Sequence, residues 1–378
     1  MNNAFTLGRL FGIQVRLHFT WFIIFVLVTA SLVDPDWLRL SSWVVGIATS
    51  LLFFASVLAH ELAHSLVGRQ YGVTIKSITL FVFGGMAHMA GEAKSSGAEF
   101  KMALAGPVCS LAIGAFFGLV WFLTVGVLPL VAAMTGWLAL INVALAVFNM
   151  IPGFPLDGGR VFRAIVWRTT GNYGRSTRIA TMVGRVIAYI FIFGGLSIAL
   201  ISFFSRIFNL SFFEGMLFNG IWIAFIGWFL ENAASASYRQ EQWREAMQRF
   251  TVAEVMTTDY LVVPPDMTVA QLVQQYIVPS GRRFFILADE GRLHGMVTLP
   301  NIKSLPQQKW ATTPVRDIMT PADKLRAVSP NQDAWTVMTQ MDEASINQMP
   351  VVSENRVIGL VSRDNLIRFL RTRSGLRG

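Results

Sequence analysis

Long apolar stretches separated by short polar joints fill the first 240 or so residues, and the pattern then changes character. A helix needs about 20 consecutive apolar residues to cross a bilayer. On that rule the chain holds six candidate spans, at about 17–33, 42–67, 98–125, 128–150, 181–204 and 216–234. The first, preceded by Arg9 and Arg16, also has features of a secretory signal. Its apolar run is long for one, however, and no small-residue cleavage pattern comes after it. Between the second and third spans, residues 71–90 (YGVTIKSITLFVFGGMAHMA) are rich in β-branched and aromatic residues and contain Gly84 and Gly85. They predict a strand or hairpin at the membrane face, or a re-entrant element.

From residue 238 the pattern is that of a soluble protein. Residues 238–249 predict a polar linker helix, and residues 250–375 mix helix and strand. This part repeats itself. Gly295-Met296-Val297-Thr298-x-x-Asn301 recurs as Gly359-Leu360-Val361-Ser362-x-x-Asn365, an offset of 64. Val255-Met256-Thr257 recurs as Ile318-Met319-Thr320, an offset of 63. The expected organisation is a membrane domain at 1–237, a linker helix at 238–249, and two α/β repeats at 250–309 and 310–378.

Composition narrows this picture. Of 378 residues 53% are hydrophobic and only 14% charged, against about 25% charged in a typical soluble domain. That excludes a disordered chain, a fibrous repeat and a coiled coil. The net charge is +9, of which +7 falls in residues 1–240. Fifteen basic residues, Arg163 among them, lie in the N-terminal segment and the even-numbered joints. Only Arg39 and Arg206 lie in the others. The asymmetry is the positive-inside pattern, not a nucleic-acid patch. It predicts a multi-pass protein of the cell membrane with both termini, and the repeat module, in the cytoplasm. The single cysteine, Cys109, forms no intrachain disulfide and suits a small packing position.

Few ionisable groups lie within the apolar part, and such groups mark function by default. His60-Glu61-Leu62-Ala63-His64 is an HExxH motif near the inner end of the second span. Positions i and i+4 share a helix face, so both imidazoles can reach one ion with a carboxylate beside them. Zinc hydrolysis requires neutral nitrogen ligands, an open position for water and a base to take the water's proton. The alternative is a set of hydrogen-bonded side chains in a proton path. Two histidines leave the ion short of a third protein ligand. Asp157, in the helix-breaking stretch 149–159 (NMIPGFPLDGG), sits at matching depth and supplies one. Taken alone it could equally cap the next helix. His88 is the other candidate ligand, although an interfacial role suits it better; His18 also suits the interface, and His294 lies in the repeats.

These residues resemble the site-2 protease family of intramembrane zinc metalloproteases (peptidase family M50-like), in the branch carrying C-terminal cystathionine-β-synthase-type (CBS) domains. The matching pieces are HELAH at 60–64, FGG at 83–85, EFKMALAGP at 99–107 and N-x-x-P…LDG at 149–158, together with the two repeats. The resemblance implies a multi-pass α-helical membrane protein of about six transmembrane helices with a membrane-face β-element and a tandem CBS module. It implies one catalytic Zn2+ on His60, His64 and Asp157, with Glu61 as general base. It also implies that Gly84 and Gly85 belong to a strand that pairs with an unwound substrate segment, and that Asn149 contacts the substrate. The expected partner is a membrane-anchored protein, such as a membrane-tethered regulator, cut by regulated intramembrane proteolysis. A homodimer through the CBS domains is a further expectation, and nucleic acid is not.

CBS pairs often bind adenine nucleotides. The matching positions here are Thr298, Asn301, Ser362 and Asn365, where the family pattern ends in Asp and this chain carries Asn in both copies. Arg282 and Arg283 are candidates to face a phosphate or to lie on a solvated surface. Two other functions compete with the protease: a CBS-regulated ion or metal transporter, and a zinc-binding scaffold without catalysis.

Overall fold

Ile13, Val15 and Leu17 alternate with Gln14, Arg16 and His18, the period of a strand with one buried face. The computed structural model describes residues 4–33, 40–82, 84–90, 93–207, 216–289, 292–344, 346–354 and 356–375. The chain divides into two units, Met1–Glu241 and Gln242–Gly378.

In the first unit, β1 (Ala4–Leu10) and β2 (Ile13–His18) form an antiparallel hairpin. β2 pairs in parallel with β3 (Thr74–Phe81), and β3 turns back into β4 (Gly84–Ala90). The sheet order β1-β2-β3-β4 leaves β4 at an edge. Of the strand, hairpin or re-entrant element expected at 71–90, the structure shows the hairpin, as part of a larger sheet that also takes in β1 and β2. The buried faces of β2 and β3 (Ile13, Leu17, Ile78, Leu80) pack on Trp21, Phe54 and Val57 from helices α1 (Thr20–Leu32) and α2 (Leu40–Gln70).

Next along the chain come α3 (Ser96–Thr124), α4 (Pro129–Asn149), α5 (Asp157–Thr170), α6 (Tyr173–Ile207) and α7 (Met216–Gln248). Ser95 starts α3 by accepting a hydrogen bond from the Ala98 amide at 3.2 Å, and Gly171, at φ +66°, ends α5. Among the described residues five helices are long and apolar enough to cross a membrane, namely Ser42–Gln70, Ser96–Thr124, Pro129–Asn149, Tyr173–Ser205 and Met216–Gln248. The first expected span differs. Its opening residues Leu17 and His18 end strand β2, and helix α1 has only 13 residues.

The second unit carries the duplication in its backbone. β5 (Val262–Val263), β6 (Phe284–Asp289), β7 (Arg292–Thr298) and β8 (Thr320–Pro321) form one sheet, and β9 (Gln348–Ser353) pairs with β10 (Arg356–Ser362) in the other. In each repeat the second strand of the hairpin runs into a helix, Leu299–Lys303 after Thr298 and Arg363–Gly375 after Ser362. Thr298 and Asn301 form a reciprocal capping box at the first of these helices. Each repeat has its own core, one around Phe285, Leu287 and Val297, the other around Met349, Val351 and Val361.

Candidate active site

Helix α2 presents His60 and His64 one turn apart on a single buried face. Asp157 is the first residue of α5, where a helix N-terminus favours a carboxylate. The N-cap of α5 is Leu156, with no side-chain cap bond. The Asp157 carboxylate points instead at the histidines. Its Oδ2 lies 3.2 Å from His60 Nε2 and 3.0 Å from His64 Nε2, and the two Nε2 atoms are 3.1 Å apart. Among the described residues these three are the only cluster of His, Cys, Asp or Glu side chains placed to share an ion.

Whether zinc fits can be decided from the outer partners. The Met102 carbonyl lies 2.7 Å from His64 Nδ1 and can only accept, so Nδ1 carries the proton. A neutral His64 then aims a lone pair from Nε2 at the cluster centre. Ser110 Oγ lies 2.9 Å from His60 Nδ1 and can accept in the same way. Outer hydrogen bonds that fix the tautomer are the usual support of a histidine ligand. Two lone pairs and a carboxylate oxygen facing one another are mutually repulsive unless a cation lies between them. Ligand atoms at the vertices of a tetrahedron 2.0–2.1 Å from zinc would stand about 3.3 Å apart. The observed triangle, 3.0–3.2 Å on a side, is close to that. The donor set fits zinc.

Two glycines shape the site. A Cβ on Gly106 would fall 2.1 Å from His64 Nε2 and 2.6 Å from His60 Nε2. Only glycine lets α3 approach the imidazoles this closely, and Pro107 beside it lies inside the helix. A Cβ on Gly85 would fall 2.3 Å from Glu61 Cγ, so the edge strand β4 runs directly against the Glu61 side chain. Gly84, at φ +120°, opens β4 opposite Phe81. Phe83, quoted with these glycines in the FGG element, lies outside the described residues.

The other candidates fall elsewhere. Asn149 ends α4 and its Nδ2 donates to the Leu145 carbonyl at 3.0 Å. His88 sits on β4 opposite Ser77, outside the cluster, with Nδ1 buried and without a hydrogen-bond partner. His18 bonds Thr20 Oγ1 at 2.9 Å. In the second unit Thr298, Asn301, Ser362 and Arg283 line a cleft of about 830 Å³ between the repeats, together with Lys303, Lys324 and Arg326. Asn301 Oδ1 already accepts from the Thr298 amide at 3.0 Å. Asn365 Oδ1 accepts from Arg368 at 2.6 Å. Arg282 pairs with Asp259 at 2.6 Å.

The segment 99–107 stood out in the sequence only as a piece matching the family, with no role for Glu99, Met102 or Gly106; Ser110, also on α3, and the buried partnership of Glu99 with Arg163 had no signal there. The signal available for Gly106 was a Gly-Pro pair inside an otherwise unbroken apolar helix.

The chain matches the family model "Peptidase family M50" over residues 48–133 and 127–191. It matches the CBS domain model over 252–305 and 315–372. A Synechocystis sp. protein provisionally named a zinc metalloprotease is 35% identical, covering 98% of this chain and 97% of the relative. A zinc metalloprotease of Methanocaldococcus jannaschii is 29% identical over 98% of this chain and 97% of its own length. A solved site-2 protease structure from the same organism is 28% identical and covers 62% of this chain and 95% of that one, with a TM-score of 0.42. The two sequence relatives support the protease over the transporter.

Proposed function

The chain belongs to peptidase family M50, and on that premise we propose that it hydrolyses a peptide bond in or near the transmembrane segment of a membrane-anchored protein substrate. The observation that carries this reading is the His60–His64–Asp157 cluster, built beside Glu61 and the open edge of β4. Zinc held by these three residues supplies the Lewis acidity that activates water and polarises a carbonyl. The chain's own groups do the rest. His60 and His64 bind through Nε2, with Nδ1 tied to Ser110 and Met102. Glu61, between the two histidines in sequence, takes the proton from the attacking water and returns it to the leaving amine.

A transmembrane helix hides its amides in i→i−4 bonds, so the substrate must be extended at the cut. Adding it as a strand to the free edge of β4 would hold it so, and would bring its backbone past Gly85 and Glu61. Asn149, at the end of α4, is assigned a supporting contact with the substrate. The CBS pair is read as a regulatory module facing the cytoplasm that pairs with a second copy, and its cleft, lined by Arg283, Lys303, Lys324 and Arg326, as the place for an adenine nucleotide.

The substrate test is a comparison of membrane proteomes from cells carrying wild type and Glu61→Gln. One or more transmembrane proteins should accumulate as full-length species only with the variant. Identical proteomes would remove the substrate class proposed. The ligand assignment is checked separately: Asp157→Ala should keep its helical content yet lose its zinc after dialysis, and retention of stoichiometric zinc would move the third ligand elsewhere.

A further inference from the structure

Arg163 and Glu99 are the most deeply buried pair of opposite charges in the first unit among the described residues, 8% and 1% exposed. Arg163 Nε donates to Glu99 Oε1 at 2.7 Å, and Nη2 reaches the same oxygen. Nη1 lies 3.4 Å from Thr177 Oγ1 on α6. The guanidinium carbon sits 4.8 Å from the Phe154 ring centre and 4.6 Å from that of Tyr173. One side chain is thus held by α3, by the turn before Asp157 and by α6.

The two ends of this bridge stand on the two elements that must be aligned for the metal cluster. Glu99 is on α3, three residues before Met102, whose carbonyl orients His64. The same helix supplies Gly106 against both imidazoles and Ser110 to His60. Arg163 is on α5, whose first residue is Asp157. A slide of one residue along a helix moves a side chain by about 1.5 Å, enough to take the carboxylate out of reach of the imidazoles. Helix adhesion alone does not call for charges here, since a buried ion pair is often no more stabilising than an apolar pair of the same size. What the guanidinium fork adds is direction: it bonds in a fixed plane and so fixes the register of its helix.

We propose that the Glu99–Arg163 pair is the positioning device that sets α5 against α3 and so holds the Asp157 carboxylate on the His60 and His64 imidazoles. The proposal rests on the metal reading above. It separates stability from metal geometry, and the experiment exploits that. Glu99→Met/Arg163→Met replaces the pair by an apolar one that packs the two helices without the fork. Arg163→Lys keeps the charges balanced but loses the fork, so it supplies a folded variant in its own right.

Full-length wild type and both variants would be compared in detergent for thermal midpoint, for zinc affinity by chelator competition, and for the visible absorption of bound Co2+, which reports ligand geometry. Both variants should keep a wild-type helical spectrum and melt. Their zinc affinity should fall about tenfold, in the range seen when outer partners of metal ligands are lost, with a changed cobalt spectrum. A folded variant with wild-type zinc affinity and an unaltered cobalt spectrum would overturn the proposal and leave the pair a plain staple between helices. A wild-type protein that binds no zinc would instead overturn the metal reading, and this proposal with it.

Discussion

Gly106→Ala is expected to weaken zinc binding on the order of 100-fold, and proteolysis with it, while leaving most of the membrane unit folded. The added methyl would lie 2.1 Å from His64 Nε2 and 2.6 Å from His60 Nε2. Neither imidazole can swing aside freely, because Met102 and Ser110 hold the opposite ring nitrogens. The remaining adjustment is for α3 to back away, which pulls those same two partners off the histidines. Overpacking of this kind costs about 1–3 kcal/mol, too little to unfold a multi-helix unit. Its effect on the ligands is larger, because the metal requires its donors within a few tenths of an ångström of their ideal distances. Zinc affinity should drop on the order of 100-fold. Metal analysis of the purified variant, with circular dichroism as the check on folding, reads both parts of the expectation.

Glu61→Gln should do the reverse, leaving the metal in place and stopping the chemistry. Glu61 is not one of the three converging ligands, so its amide analogue leaves the cluster intact. The Gln side chain has nearly the same shape and keeps its place beside the Gly85 backbone, but it cannot accept a proton from water. General acid–base groups contribute about 10²–10⁴-fold to rate, and cleavage should fall by that much with wild-type zinc content. Loss of zinc together with activity would show that Glu61 supports the metal instead of acting as the base.

Much of this site was legible in the sequence, because charges stand out in an apolar chain. HELAH at 60–64 and Asp157 were exceptions to their surroundings, and the fold brings the two histidines and the aspartate together. The hairpin at 71–90 was legible from its β-branched residues and paired glycines. Other features were hidden by the same apolar background. Ile13, Val15 and Leu17 carry a clean period of two, yet Leu17 also begins an apolar run, and length outweighed alternation. A short helix of 13 residues resulted where a full span was expected. Arg163 was counted with the orientation charges because a lone arginine near a membrane end usually serves there. Its burial depends on Glu99, which lies 64 residues away and shares no local pattern with it. Gly106 and Ser110 could not be read as outer supports of the histidines, since helix periodicity says nothing of which face meets which neighbour.

Every role assigned at this site depends on the metal. Purified wild-type protein, reconstituted in lipid with a labelled single-span peptide, would be stripped of metal by a chelator, assayed, and assayed again after stoichiometric zinc is returned. Cleavage should vanish on stripping and return with zinc in the wild type, and with zinc present should stay about 10²–10⁴-fold lower in Glu61→Gln. Cleavage that continues at full rate in the stripped wild-type protein would contradict the assignment of His60, His64 and Asp157 as the catalytic metal site.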